Sequence, residues 1–203
     1  MVLFIAALDV GYQLVTALDR LEVVETERDR WQRPDAIIAA LGLQPGRVVV
    51  DLGSGSGYFT LKLAAAVGNQ GRVLAVDIRR LPLFFVRLRA LLRGRHNIDT
   101  IVGTPDDPKL SPNAIDAVLI VNTYHELSDA PAILKHISLS LRSGGRLVIV
   151  DRSRNDEEQH HEIAREAVET DLTRNDFLIL GRQDNFIAEA GSGIWWMIVA
   201  RKP

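Results

Sequence analysis

From Asp51 to Gly57 the chain alternates an acid and three glycines with other residues, Asp51-Leu52-Gly53-Ser54-Gly55-Ser56-Gly57, and a second acid, Asp77, lies twenty residues past Gly57. Glycines at such spacing let the backbone take φ > 0 and admit a ligand where a Cβ would block it. A helix that opens directly after them aims its unpaired N–H groups and positive dipole end into the same space. A carboxylate at the end of the following strand can accept both hydroxyls of a ribose. Further on, Asn122-Thr123-Tyr124-His125-Glu126 brings an imidazole and a phenol together. The first group has the chemistry to hold an adenosine-containing cofactor. The second offers a general base in His125, whose side-chain type titrates near pH 6.5, and an acceptor-orienting hydroxyl in Tyr124.

These residues need a scaffold, and the chain supplies one in order. Val48-Val49-Val50-Asp51 reads as a short buried strand, Tyr58 to Val67 as a helix ending at Gly68, and Arg72 to Asp77 as a second buried strand. Strand, glycine turn, helix, strand and acid form a nucleotide-binding β-α-β unit. Ile98 to Val102 is a third strand, and Gly103-Thr104-Pro105-Asp106-Asp107-Pro108 is a loop by composition. Ile115 to Val121 is a fourth strand that delivers Asn122 through Leu127 to the carboxyl edge of the sheet, where open α/β sheets place their ligands. Ser128 or Asp129 can cap a helix from Ala130 to Arg142. Gly144-Gly145 then turns into a fifth strand, Arg146 to Val150, ending in Asp151.

The glycine spacing separates cofactor classes. A dinucleotide fingerprint requires G-x-G-x-x-G/A. Counting from Gly53 puts Tyr58 at the last position and counting from Gly55 puts Thr60 there, so a nicotinamide-dependent oxidoreductase fits poorly. The pattern Asp51-x-Gly53-x-Gly55-x-Gly57 resembles motif I of the class I S-adenosylmethionine-dependent methyltransferases, and Leu141-Arg142-Ser143-Gly144-Gly145-Arg146-Leu147 is similar to a late motif of the same family. The resemblance covers about Trp31 to Asp151. It implies an α/β, Rossmann-like sheet of seven mostly parallel strands in the order 3-2-1-4-5-7-6, with one antiparallel strand in the last hairpin, helices on both faces and an added N-terminal helix. It implies S-adenosyl-L-methionine as cofactor, with S-adenosyl-L-homocysteine as product. Asp51, Gly53, Ser54, Gly55, Gly57, Tyr58, Asp77 and Asn122 are then expected to line the cofactor, Ile78 to cover the adenine face, and Thr104 and Asp106 to meet the adenine edge. The element Trp31-Gln32-Arg33-Pro34 looks like one in a subgroup of small bacterial methyltransferases, which makes Trp31 and Gln32 expected pocket-wall residues. Trp31 packing a helix against the sheet is the alternative.

Methyl transfer from a sulfonium needs alignment above all, so it tolerates the lack of an obvious base. A small-molecule acceptor is the expectation. Base-directed nucleic-acid methylation normally follows the fourth strand with Asn or Asp, Pro-Pro and an aromatic, and Asn122-Thr123-Tyr124 lacks the prolines. With no cysteine, arsenite-type methylation, disulfides and thiolate metal sites are excluded. His160 and His161, adjacent on an expected helix, point about 100° apart and do not share an ion, so no metal is expected. A non-catalytic cofactor-binding or assembly protein is the competing reading.

The remaining stretches are less specific. Arg79, Arg80, Arg87, Arg89, Arg93 and Arg95 follow Asp77 with no acid among them, interleaved with Leu83, Phe84, Phe85, Val86, Leu88, Leu91 and Leu92. This is an amphipathic basic helix. Anionic lipid, RNA or an acidic partner could meet it, or its arginine stems could cover apolar surface on a solvated face. Glu157 to Arg174 reads as a helix, and Phe177 to Ile179 and Ile194 to Val199 as the last strands, joined through Gly191-Ser192-Gly193. Trp195, Trp196 and Met197 alternate faces, so only one tryptophan can be core on a given side.

Two expected units make up the chain. Residues 1–33 form a helix and a charged connector from Glu22 to Arg33, serving as a cover for the active-site mouth or as the contact of a homo-oligomer. Residues 34–203 form the cofactor-binding domain. Leu3, Phe4, Ala7, Leu8, Leu14, Val15, Leu18 and Leu21 recur at helical spacing. The apolar start, Met1 to Leu8, lacks a basic leader and falls short of the about 20 residues of a membrane span. A trimmed signal remnant is the alternative. The 203 residues carry a net charge of −2, which gives no overall attraction to nucleic acid. No stable membrane insertion and a cytoplasmic location are expected.

Overall fold

A computed structural model describes residues 2–153, 163–189 and 193–203. The chain divides into two compact units, Met1–Arg33 and Pro34–Pro203.

The first unit holds one helix, α1 (Val2–Trp31). The charged stretch expected to be a connector continues this helix. Its polar residues satisfy helical geometry locally: Arg30 pairs with Glu27 at 3.0 Å, and the Thr26 hydroxyl donates to the Glu22 carbonyl at 2.8 Å. Charges three or four residues apart support a helix that has no apolar stripe to announce it.

In the second unit the short helix α2 (Pro34–Ala40) precedes β1 (Val48–Leu52), α3 (Tyr58–Val67), β2 (Arg72–Asp77), α4 (Arg80–Leu92), β3 (Ile98–Val102) and β4 (Ile115–Val121). A one-turn 3-10 helix (Tyr124–Glu126), α5 (Ala130–Ser140), β5 (Leu141–Arg152), α6 (Arg165–Arg174), β6 (Leu178–Glu189) and β7 (Gly193–Arg201) complete it. The seven strands form one sheet in the order β3-β2-β1-β4-β5-β7-β6, as expected. The first five pair in parallel and β7 runs antiparallel to both its neighbours.

Burial on both faces explains the near-continuous apolar strands. Val50, Leu52, Val118, Ile120, Leu147, Ile149, Trp196 and Ile198 pack with Ile133, Leu134 and Ile137 of α5 and Val168 and Leu172 of α6. On the other face Ala75 packs with Leu83 and Val86 of α4. The Asp129 carboxylate caps α5 by accepting from the Ala132 N–H at 3.0 Å.

Two elements differ from the sequence reading. Helix α5 stops at Ser140, and β5 already begins at Leu141, so Gly144-Gly145 lies inside a strand. The pairing with β4 is irregular there, between Ile115 and Ala117, which is how a strand absorbs a glycine pair. Strand β6 runs to Glu189, well beyond the expected Ile179. Its Gly181, Asp184 and Asn185 carry turn-like composition, and shifts in register interrupt its pairing with β7. As the edge strand it tolerates residues that a central strand does not. His160, His161, Gly191 and Ser192 lie outside the described residues.

Trp195 and Trp196 are both buried, on opposite faces of β7. Truncating either to alanine should cost about 3–5 kcal/mol, whereas Ile194→Ala, at a partly exposed strand end, should stay within about 0.5 kcal/mol. Urea denaturation of the three variants checks this. Equal, small effects would contradict a two-faced core around β7.

Candidate functional site

The site forms where the carboxyl ends of β2, β1, β4 and β5 lie side by side, at the point where strand order reverses. Strand β1 ends in Asp51 and Leu52, and the glycine turn begins directly. The Gly53 and Ser54 N–H groups both donate to the Val76 carbonyl, at 2.9 and 3.0 Å. The Gly55 N–H donates to Asp77 Oδ2 at 3.0 Å. The turn is therefore fastened to the end of β2, and it arches over the space between.

Two glycines matter for different reasons. At Gly53 (φ +75°) an added Cβ would lie 2.3 Å from the Thr123 side chain, so β1 and the loop after β4 touch only because this position is bare. At Gly55 (φ +52°) an added Cβ would meet nothing within 4 Å. That position is open toward solvent, as a ligand cradle must be.

Asp51 is buried and accepts from the Thr60 hydroxyl at 2.6 Å. It ties the strand to α3 from below the turn. Asp77 is 6% exposed. Its Oδ1 accepts from the Arg79 N–H at 2.9 Å and from Arg79 Nε at 3.4 Å, which leaves Oδ2, already bound to the Gly55 N–H, with a further lone pair. Ile78 beside it is 58% exposed, an apolar surface open for a flat ring. Across the edge of the sheet, the Thr104 hydroxyl donates to Asp106 Oδ1 at 2.8 Å. That bond holds the exposed Asp106 carboxyl below the usual range.

Ser54 Oγ and Asn122 Oδ1 are buried without a hydrogen-bond partner. Buried polar atoms are almost always paired, and these two orphans stand just past the carboxyl ends of β1 and β4. Asn122 also holds φ +53°, a conformation that asparagine tolerates better than most residues. Tyr58 is buried, with its ring edge-on to Phe59 at 4.8 Å. Its side chain packs α3, and a ligand could meet only its backbone.

The residues after β4 separate into two roles. Tyr124 is 1% exposed and its hydroxyl donates to Asp171 Oδ2 of α6 at 3.0 Å. Burial first, and Asp171 second, push its phenol far above the usual range. Tyr124 thus packs in the core, with its hydroxyl, expected to orient an acceptor, held by Asp171. His125 instead meets Asp151 at the end of β5, with Nδ1 2.8 Å from Oδ1, and its backbone N–H donates to Oδ2 at 3.2 Å. Asp151 is fully buried. Its hydrogen bond, opposed by burial of the ring, raises the His125 pKa above its usual value. Nε2 lies 3.8 Å from Glu126 Oε1. The pairing of His125 with Asp151 is absent from the sequence reading, where Asp151 is only a strand end. An acid at the carboxyl end of the neighbouring parallel strand is the signal that could have revealed it.

Trp31 closes α1, and Gln32 accepts from Arg28 Nε at 2.7 Å. Both stand in the first unit. Among the described residues no group of three or more His, Cys, Asp or Glu side chains could hold a metal ion.

Comparison with known proteins follows the same geometry. The profile described as the ubiE/COQ5 methyltransferase family matches residues 17–168. A "Ubiquinone/menaquinone biosynthesis C-methyltransferase UbiE" of Shewanella sp. (strain W3-18-1) is 28% identical over 136 residues, which is 66% of this chain and 52% of that protein. The chain spans about half the length of such curated relatives. Among solved structures, a SAM dependent methyltransferase from Aquifex aeolicus aligns with a TM-score of 0.73 at 20% identity, covering 84% of this chain and 89% of that one. Geranyl diphosphate C-methyltransferase from Streptomyces coelicolor A3(2), in complex with Mg2+, geranyl diphosphate and S-adenosyl-L-homocysteine, aligns with a TM-score of 0.72 at 16% identity, covering 85% and 79%. At these identities the two structures establish a shared fold.

Gly53→Ala should destabilise the chain by at least about 2 kcal/mol through overpacking against Thr123. Gly55→Ala should cost only about 1–2 kcal/mol of backbone strain. Urea midpoints read the order, and a reversal would contradict the described turn. The raised His125 pKa gives a pH signature as well. Its contribution to stability is complete below about pH 6.5, the unfolded-state value, and is lost as pH rises through the higher folded value. The stability gap between the wild type and His125→Gln should therefore narrow from acid to alkaline pH.

Proposed function

The chain belongs to the ubiE/COQ5 methyltransferase family, and from that membership we propose that it is an S-adenosylmethionine-dependent methyltransferase acting on a small-molecule acceptor. The observation that carries the reading is the pair of orphaned polar atoms, Ser54 Oγ and Asn122 Oδ1, beside a glycine turn that is open at Gly55 and faced by Asp77. The methionine end of the cofactor carries an ammonium and a carboxylate, which suit an amide oxygen and a hydroxyl. Its ribose suits the Asp77 carboxylate, its adenine the exposed face of Ile78, and the adenine edge the loop of Thr104 and Asp106. When bound, it supplies a methyl group on a sulfonium whose leaving group is neutral.

The work of the protein is then alignment. Fixing two reactants in a near-attack geometry gives effective molarities of about 10⁵–10⁸ M. His125 is the base of this reading. Asp151 fixes Nδ1 of the ring, so Nε2 is the nitrogen that takes a proton from the acceptor, a contribution of about 10²–10⁴-fold. The named curated relative is a C-methyltransferase, and an aromatic or enolic carbon becomes nucleophilic when a neighbouring hydroxyl loses its proton. We therefore assign a carbon acceptor made electron-rich in this way. Residues 34–203 are the cofactor-binding domain of the reading. For residues 1–33, which include Trp31 and Gln32, the proposed role is that of a covering or oligomerisation element. A cytoplasmic location accompanies it.

S-adenosylhomocysteine should raise the thermal midpoint of the protein and NAD should not. Calorimetric titration should show Asp77→Asn weakening binding by about 10–100-fold, the loss of a hydrogen bond to a charged group. Stabilisation by NAD alone would overturn the assignment. With an acceptor in hand, the rate should rise with pH through a value above 6.5, the unperturbed imidazole pKa, and Asp151→Asn should move that limb to lower pH. A pH-independent rate would remove His125 from the reaction.

A further inference from the structure

The helix α4 is apolar on both sides, yet among the described residues only one side is covered. Leu83, Val86 and Ala90 are buried toward the sheet with Arg89. On the opposite side Leu81, Phe84, Leu88 and Leu91 follow one another at intervals of three and four, the spacing of one helix face. Leu81 is 68% exposed, Phe84 51%, Leu91 70% and Leu92 64%. A helix that is hydrophobic all round is normally buried, and a contiguous exposed apolar patch marks an interaction surface.

The charge along this helix has one sign. From Ile78 to Ile98 the sequence holds six arginines and no acid. Arg89 is spent internally, donating to the Ser56 carbonyl. Among the described residues Arg87 reaches only the neutral Thr100 hydroxyl. Arg80 sits in the first turn, at the positive end of the helix dipole, where a cation is unfavourable for the helix itself. Helix stability therefore does not explain its presence there. Every residue of α4 is Leu, Phe, Val, Ala, Pro or Arg. Apart from its arginines it carries no side chain that hydrogen-bonds, neither Ser, Asn, Gln, Tyr nor Trp.

We propose that the outer face of α4 docks on an anionic phospholipid surface. The leucines and Phe84 enter the boundary between headgroups and acyl chains, and Arg80, Arg87 and Arg95 lie among the phosphates. This is the arrangement of an interfacial helix. Among the described residues no helix is long and apolar enough to cross a membrane, so the contact is peripheral and reversible. Helix α4 begins three residues after Asp77, so this docking holds the mouth of the glycine turn near the lipid. The proposal stands without any particular acceptor.

Vesicle flotation of the full chain tests it, with pure phosphatidylcholine against phosphatidylcholine containing phosphatidylglycerol. The wild type should float with the anionic vesicles, at least tenfold more than with the neutral ones, and high salt should release it. Leu81→Ser combined with Leu91→Ser should abolish flotation, while S-adenosylhomocysteine still raises the thermal midpoint of the variant. Because the chain has no cysteine, Leu91→Cys gives a single site for an environment-sensitive nitrobenzoxadiazole label. Its emission should shift to the blue on anionic vesicles, whereas a label at Leu139→Cys on α5 should not respond. No flotation by the wild type, equal blue shifts at both labels, binding to RNA in place of vesicles, or a dimer that the serine variant splits would each overturn the proposal.

Discussion

The hydrogen bond from the Gly55 N–H to Asp77 Oδ2, at 3.0 Å, is the constraint on which the site depends. It joins the turn after β1 to the end of β2, and with the Gly53 and Ser54 bonds to Val76 it holds the loop as an arch. The arch needs support from outside because its glycines carry no side chains with which to pack. Parallel pairing of β1 with β2, from Val48 opposite Arg72 to Leu52 opposite Val76, places the two strand ends at one level. The sheet register thus sets the depth of the cradle. In the proposed function the carboxylate that fastens the arch also meets the ribose, so the support and the ligand contact are one residue.

A second constraint acts from the other side. Strands β4 and β5 end level with each other, Val121 opposite Val150, which brings the 3-10 turn after β4 against Asp151. The turn sends successive side chains in different directions: Thr123 against bare Gly53, Tyr124 into the core toward α6, and His125 onto Asp151. Fixing an imidazole through Nδ1 selects its tautomer and its orientation. The buried carboxylate of Asp151 also accepts two backbone N–H groups, from His125 and Arg152, so the dyad is built into the ends of two strands.

Much of this is legible in the sequence for a physical reason. Central parallel strands must be apolar on both faces, and the turn between β1 and α3 must be glycine, so both leave strong local marks. The positions of the central strands and the residues of the arch follow from those marks, and the strand order from the family resemblance that they carry. Edges and connections are harder to read. Strand β6 hides behind Gly181, Asp184 and Asn185 because its outer side is unpaired. The second half of α1 hides because i to i+3 charge pairs support it in place of an apolar stripe. Tyr124 and His125 are neighbours with opposite fates, and only the sense of the 3-10 turn decides which faces inward. Asp151 needs the register between β4 and β5 before its partner can be known. The arginine-rich segment is visible as a helix, but which of its two apolar sides meets the sheet is a tertiary fact.

The central claim is that the arch over Gly55 receives the sulfur-bearing nucleoside. Amide NMR of labelled protein during titration with S-adenosylhomocysteine tests it most directly, because the backbone N–H groups of the turn report on their own surroundings. Saturable shifts concentrated at Ser54, Gly55, Asp77, Ile78 and Asn122, with none on addition of NAD, are the predicted result. A spectrum in which those amides stay still while others move would contradict the account.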